Sequence, residues 1–261
     1  MVPNVIARLR TTGFLLLLLG GQLLIVTPGH ADLDESRDSS FDVSLYLLGA
    51  AMTGDVAVGF VQADLNVGFD EIVDHMEFGV MGFGRLRSGH WSFTAEFMYM
   101  GLGASKDFAS SNFDQWIAEP RIGYRVTPWL EPLAGVRYNS LSGEVIGSLG
   151  RNPSGTQDWW DPIVGATATV PVSRAVSLAL HGDIGGFGVG SDLTWQAHPY
   201  VDWVFMPNAS LQAGYRWLDV DYEFSKPAPG RAIPWLGSGD YDFRWDVLTQ
   251  GPQVGVTVRL R

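Results

Sequence analysis

Hydrophobic and polar residues alternate with a period of two over most of this chain. In Trp91-Ser92-Phe93-Thr94-Ala95-Glu96-Phe97-Met98-Tyr99 the odd positions are apolar or aromatic and the even ones largely polar. Successive strand side chains point to opposite faces, so this run predicts a strand with one apolar and one polar face. The same alternation covers 118–126, 176–181, 194–205 and 253–260. From Glu77 onward it predicts nine strands, at 77–87, 90–103, 113–126, 129–145, 158–171, 175–186, 191–206, 209–223 and 241–260. Many of these are about 13–17 residues long, against five or six for an ordinary globular strand. Residues 41–51, 55–59 and 61–67 supply up to three more, and 69–76 reads as a short helical turn with Ile72, Val73 and Met76 at helical spacing.

The connections are of two kinds. Short turns fall at 87–90, 127–129, 172–174 and 206–208, while longer loops fall at 104–112, 147–158 and 225–239, with a shorter glycine-rich one at 186–191. Short turns at one end and long loops at the other are the layout of a membrane barrel, with turns periplasmic and loops outside. Aromatic residues mark both ends, with Trp91, Trp129 and Phe205 beside the turns and Trp116, Trp159, Trp160, Trp195, Trp217 and Trp245 towards the loops. Trp and Tyr suit the membrane interface because one end is apolar and the other forms hydrogen bonds. The expected fold is therefore all-β, a transmembrane antiparallel up-and-down barrel of 10–12 strands, with twelve favoured. A soluble β-sandwich is the rival reading; long strands and a uniform apolar face weigh against it.

Residues 1–31 have a different character. Arg8 and Arg10 precede an apolar run from Phe14 to Val26, followed by Thr27-Pro28-Gly29-His30-Ala31 and then an acidic stretch from Asp32. This is the pattern of a secretory signal peptide, with cleavage expected after Ala31, leaving a barrel domain over 32–261. Removing the segment takes its two arginines with it and the formal charge from −11 to −13. With 17 basic against 28 acidic residues, nucleic acid is not an expected partner. The absence of cysteine excludes a thiolate nucleophile and a Cys-ligated metal.

If the apolar face meets lipid, the polar face lines the lumen. The expected lumen network comprises Glu96, Glu119, Arg121, Arg125, Arg137, Asp161, His181, Asp183, His198, Asp202, Arg216 and Arg244, with Arg85, Glu131, Asp246 and Arg259 on the same face. Both signs occur in similar number, which suits a cross-linked interior, because a charge in a narrow space must be paired or hydrated. The alternative is a narrow polar path for small solutes lined by the same residues. His181 and Asp183 share a face, with His198 and Asp202 on the next strand, and a histidine–carboxylate pair beside a serine is hydrolase chemistry. Ser177, four residues from His181, stands about 13 Å away along a strand, too far for direct proton transfer. Catalytic, metal-binding and cofactor-binding residues are therefore expected to be none. Gly182–Asp192 is rich in glycine, but no helix follows it, so it fails as a phosphate loop. Glycine there is expected to serve bulges and a tight turn.

Leu193-Thr194-Trp195-Gln196, Ala213-Gly214-Tyr215-Arg216-Trp217 and the closing strand Gly251–Leu260 resemble small Gram-negative outer-membrane β-barrels of the broad OmpA/OmpW-like porin superfamily. The resemblance spans about 41–260. It implies the outer membrane of a Gram-negative bacterium, contact with outer-membrane lipid and lipopolysaccharide, and insertion by the barrel-assembly machinery. Such proteins usually end in an aromatic residue, whereas this chain ends Arg259-Leu260-Arg261. A porin-like or structural barrel is the expected function. An outer-membrane enzyme acting on lipid or peptide, with His181 or His198 as base, and a binding or adhesion protein using its surface loops are the alternatives. A weak internal repeat pairs Ala134-Gly135-Val136-Arg137-Tyr138 with Ala213-Gly214-Tyr215-Arg216-Trp217, each placing an arginine between two outward residues.

Overall fold

The structure is a computed structural model in which residues 39–58, 61–68, 76–106, 109–147, 154–226 and 241–260 are described. The expected leader over 1–31 and residues 69–75 of the helical turn expected over 69–76 lie outside these residues, while Met76, the last residue of that turn, is extended and opens a strand. Twelve strands are formed: β1 Ser39–Leu48, β2 Ala51–Val58, β3 Val61–Val67, β4 Met76–Ser88, β5 Trp91–Lys106, β6 Ala109–Tyr124, β7 Leu130–Gly147, β8 Ser154–Pro171, β9 Val176–Gly186, β10 Leu193–Met206, β11 Ala209–Lys226 and β12 Tyr241–Leu260. The strands β5, β6 and β8 extend into the expected loops 104–112 and 147–158, so the loop end of the wall stands taller than the periodicity suggests.

Consecutive strands from β4 to β12 pair antiparallel, and β1 closes the ring by pairing with both β4 and β12. The closed barrel therefore has ten strands, with β2 and β3 forming a hairpin outside the ring. The difference from a twelve-stranded ring arises at the N-terminal segments. Phe41–Leu48 pair with Gln253–Leu260, and Ala51–Val58 pair with Phe243–Gln250 in the same unbroken register, so β1 and β2 lie end to end along β12. Gly49 and Ala50 separate them, with the Gly49 amide donating to the Pro252 carbonyl at 2.7 Å. Gly251 faces this junction, and a Cβ there would stand 1.8 Å from the Gly49 carbonyl oxygen, so only glycine fits. With β4 pairing only as far as Tyr46 and Met81, the upper half of this long strand turns to β3 instead.

The outer wall is apolar. Phe41, Val43, Leu45 and Leu47 on β1, Phe93 and Phe97 on β5, Leu178, Leu180 and Ile184 on β9, and Val254, Val256 and Val258 on β12 are all exposed. In water such a continuous surface would drive association; around a closed barrel it is the band that faces hydrocarbon, about 25 Å tall in such barrels. Trp91, Trp129 and Phe205 rim its turn end, and Trp116 and Trp160 its loop end. Trp159 and Trp245 depart from the expected girdle. They point inward and are only 5% exposed, because each sits at an inward position of its strand.

Candidate functional site

Inward positions sort by height into three layers. Towards the turns the lining is polar, with Asp42 and Ser44 on β1, Arg85 and Arg87 on β4, Ser92 and Thr94 on β5, Glu131 on β7, Asp202 on β10 and Thr257 and Arg259 on β12. Asp42 is held between Arg87 at 2.7 Å and Arg259 at 2.8 Å, and Ser92 donates to Glu131 at 2.6 Å. Towards the loops the lining is apolar, with Met52, Met81, Met98, Met100, Ile117, Leu141, Trp159, Leu218, Val220, Tyr222, Trp245 and Val247 forming one cluster. Trp159 on β8 stacks on Tyr222 of β11 at 4.0 Å, with Gln157 donating to the Tyr222 hydroxyl at 2.8 Å. Between them β9 and β10 stop short, so these rings meet across the top of that lower hairpin.

The middle layer is a charged lattice. Arg137 donates to Glu119 at 2.6 Å, to Asp183 at 2.8 Å and to the Thr194 hydroxyl at 2.7 Å. Arg121 bridges Glu96 at 2.6 Å and Glu119 at 3.0 Å. Arg216 donates to Glu96 at 2.7 Å and uses its other nitrogens on the Gln196 carbonyl oxygen, while the Tyr46 hydroxyl also donates to Glu96. The Gln196 amide donates in turn to Glu119 at 3.1 Å and to Asp183. Three guanidinium groups thus face three carboxylates. Charges removed from water are tolerated only when paired and hydrogen-bonded, and the planar fork of arginine serves two acceptors at once. Arg137 is 0% exposed.

The internal repeat explains how two of these arginines are seated. Gly135 and Gly214 each lie two residues before an arginine of the lattice, and a Cβ on either would press on the carbonyl of a neighbouring strand proline, Pro120 at 2.4 Å or Pro199 at 2.2 Å. Proline has no N–H for the ladder, and the absent side chain lets the strands approach there. Both arginines then reach inward from equivalent places.

Of the residues expected in the lumen, Glu96, Glu119, Arg121, Arg137, His181, Asp183 and Arg216 come together in the lattice. Asp161 is apart from it: it is fully buried and accepts from the Ser191 amide at 2.6 Å, the Ser191 hydroxyl at 2.8 Å, the Trp159 indole at 3.0 Å and Asn139 at 3.1 Å, pinning the β9–β10 turn. His198 lies beneath the lattice, stacked on Tyr200 at 4.7 Å, and Asp202 lies lower on the same strand. Arg125 is at the turn end of β6, half-buried and without an ion pair among the described residues. Arg244 is not in the lumen. It faces outward with Asp246, 3.2 Å away, at 47% and 37% side-chain exposure. The β11–β12 register is unbroken from Ala209 to Lys226, so Arg244 keeps the outward parity of Val254, on a stretch of wall above the aromatic rim.

Tyr46, Thr194, Gln196, Asn139 and Ser191 complete the interior and were not singled out by their chemistry. Inward parity alone marks Thr194, Gln196 and Asn139; nothing in the sequence tells that Tyr46 meets Glu96 from fifty residues away.

His181 stands 3.1 Å from Asp183 and 3.0 Å from the Thr167 hydroxyl, a hydroxyl–imidazole–carboxylate row. Arg121 and Gln196 both direct N–H groups at His181 Nε2, at 3.2 and 3.3 Å. Asp183, at the same nitrogen, can only accept and favours a proton on Nε2, whereas the two donors favour one on Nδ1, so each tautomer has partners here. The crevice beside it, lined by Arg85, Ser92, Thr94, Arg121, Glu131 and Thr167, is polar and too small for a lipid or peptide. Ser177 pairs with Asp202 and Pro171, away from the imidazole.

No protein-family profile and no curated protein sequence matches this chain. Among solved structures, the outer-membrane protease OmpT of Escherichia coli is similar at 9% identity and a TM-score of 0.51, over 86% of this chain and 98% of that one. The attachment invasion locus protein Ail of Yersinia pestis aligns over 85% of this chain and 98% of its own, at 11% identity and a TM-score of 0.41. Neisserial surface protein A aligns over 85% and 97%, at 12% identity and 0.31. The likeness to OmpT is one of fold alone, and that fold is the outer-membrane β-barrel.

Proposed function

We propose that this chain is an integral outer-membrane β-barrel of a Gram-negative bacterium, exported through a cleaved leader, whose lumen is closed and whose role is structural or carried by its loop-side surface. The carrying observation is the Arg121–Arg137–Arg216 lattice with an apolar cap above it, two successive layers of buried inward side chains. Outer-membrane lipid and lipopolysaccharide are its surroundings, and the barrel-assembly machinery inserts it. No catalytic or cofactor chemistry is assigned. The test is reconstitution in a planar bilayer, after heat-modifiable gel mobility has shown insertion. A silent bilayer is the expected result, and stable ohmic steps from the unaltered protein would overturn the proposal.

A second reading is a narrow polar channel. It draws on the polar lining that rises from the turn end to His181, where Arg85 has only Thr94 as a hydrogen-bond partner among the described residues. Conductance steps whose ion selectivity changes on Arg85→Glu would favour it.

A further inference from the structure

The β9–β10 hairpin differs from the rest of the loop-side rim. Its strands have 11 and 14 residues, whereas the flanking β7, β8, β11 and β12 have 18 to 20. The rim is therefore lowest here. Pairing gives its level: Ile184 on β9 lies opposite Val164 on β8 and Trp195 on β10, and Trp160 is one step of four residues further up β8 than Val164. A step of four along β9 from Ile184 reaches Gly188, so the tip stands beside Trp160, at the aromatic rim of the lipid-facing wall. Direct packing agrees, since a Cβ on Gly190 would lie 2.5 Å from the Trp160 carbonyl oxygen.

At this level the tip presents apolar side chains. Phe187 is 55% exposed and Val189 is 73% exposed, and the nearest outward neighbours, Ile184 and Leu193, are apolar and exposed as well. Phe187 also holds φ at 53°, in the left-handed region that suits glycine or asparagine far better than a bulky ring. The turn is held rigidly despite that, by Val189 N–H donating to Gly186, Gly188 N–H donating to Ser191, and the Ser191 clamp on Asp161. A polar turn would meet every local requirement of the backbone. An apolar tip in a strained, clamped turn, continuous with the lipid-facing wall, is accounted for by what surrounds it.

We infer that the 187–189 tip is a lipid-contacting finger, seated at the headgroup–acyl boundary of the outer leaflet. This rests on the reading of the chain as a membrane-spanning barrel. Aromatic and aliphatic side chains at that depth gain burial while the polar turn backbone keeps access to headgroups. On the neighbouring strand β11 outward carboxylates reach this level, Asp219 opposite Trp195 and Asp221 opposite Leu193, and Glu223 stands one outward position higher.

The chain has no cysteine, so single-cysteine labels report without background. Nitroxides at Val189→Cys, Leu180→Cys and Glu223→Cys in proteoliposomes are compared for collision with oxygen, which concentrates in lipid, and with a water-soluble nickel chelate. A seat ~5–10 Å below the headgroup boundary predicts an oxygen-to-nickel ratio at 189 about fivefold above that at 223 and near that at 180. A ratio at 189 equal to that at 223, with 180 in lipid, overturns the finger and leaves the membrane reading intact. A label at 189 shielded from both reagents assigns the tip to a protein partner and overturns it equally. Water-like ratios at both 180 and 189 overturn the membrane reading itself.

Discussion

Replacing Arg137 by methionine keeps most of the side-chain length and removes its charge and its donors. The native residue makes three side-chain hydrogen bonds, two of them to carboxylates, and has no access to solvent. Without it, Arg121 and Arg216 are left to balance Glu96, Glu119 and Asp183, so the lattice carries one uncompensated negative charge. Glu119 retains Arg121 and Gln196, and Asp183 retains Gln196 and His181, which limits the damage. Breaking one side of a buried ion pair costs about 3–5 kcal/mol, and that is the loss expected for R137M. The double substitution R137M/E119Q restores equal numbers of positive and negative groups. It is therefore expected to be less destabilised than R137M alone, by a coupling of about 1–3 kcal/mol. Urea unfolding of protein in lipid vesicles, followed by tryptophan emission and by the folded band on an unheated gel, measures both. A loss below about 1 kcal/mol for R137M, or a double variant no more stable than the single, would refute the account of a charge-balanced dry lattice.

Asp161→Ala removes the acceptor of four donors and is expected to cost about 2–4 kcal/mol, with faster hydrogen exchange at the Ser191 amide than elsewhere in the wall. Gly214→Ala puts a Cβ 2.2 Å from the Pro199 carbonyl and should cost about 1–3 kcal/mol, while Gly182→Ala, whose nearest contact is at 3.5 Å, should unfold at nearly the same urea concentration as the parent. Trp159→Ala loses the Tyr222 stack and two indole hydrogen bonds, for about 3–5 kcal/mol in the same unfolding assay. Arg244→Ala, in an exposed pair on the outer wall, should change stability by less than about 0.5 kcal/mol.

Alternation made the barrel legible. With a period of two, every residue's face follows from its parity once the strand is known, and the placement of Glu96, Glu119, Arg121, Arg137, His181, Asp183 and Arg216 inside needed nothing more. Trp159, Trp245 and Arg244 show the limit of reading by residue type. A tryptophan near a loop suggests an interface and an arginine suggests a lumen, but all three obey the parity of their strands.

The local pattern thus determined the strands, the lipid-facing side and the chemical character of the interior, because strand periodicity and turn chemistry are properties of neighbouring residues. Which segments close the ring was decided only in three dimensions. β1 and β2 are separated by two residues yet share β12 end to end, and the junction between them depends on the fit of Gly49 against Gly251. The lattice is likewise tertiary: Tyr46, Glu96, Arg121 and Arg216 come from β1, β5, β6 and β11. The bonds Tyr46–Glu96, Arg216–Glu96 and Arg137–Asp183 join strands that are not neighbours in the wall, and no sequence spacing records that distance.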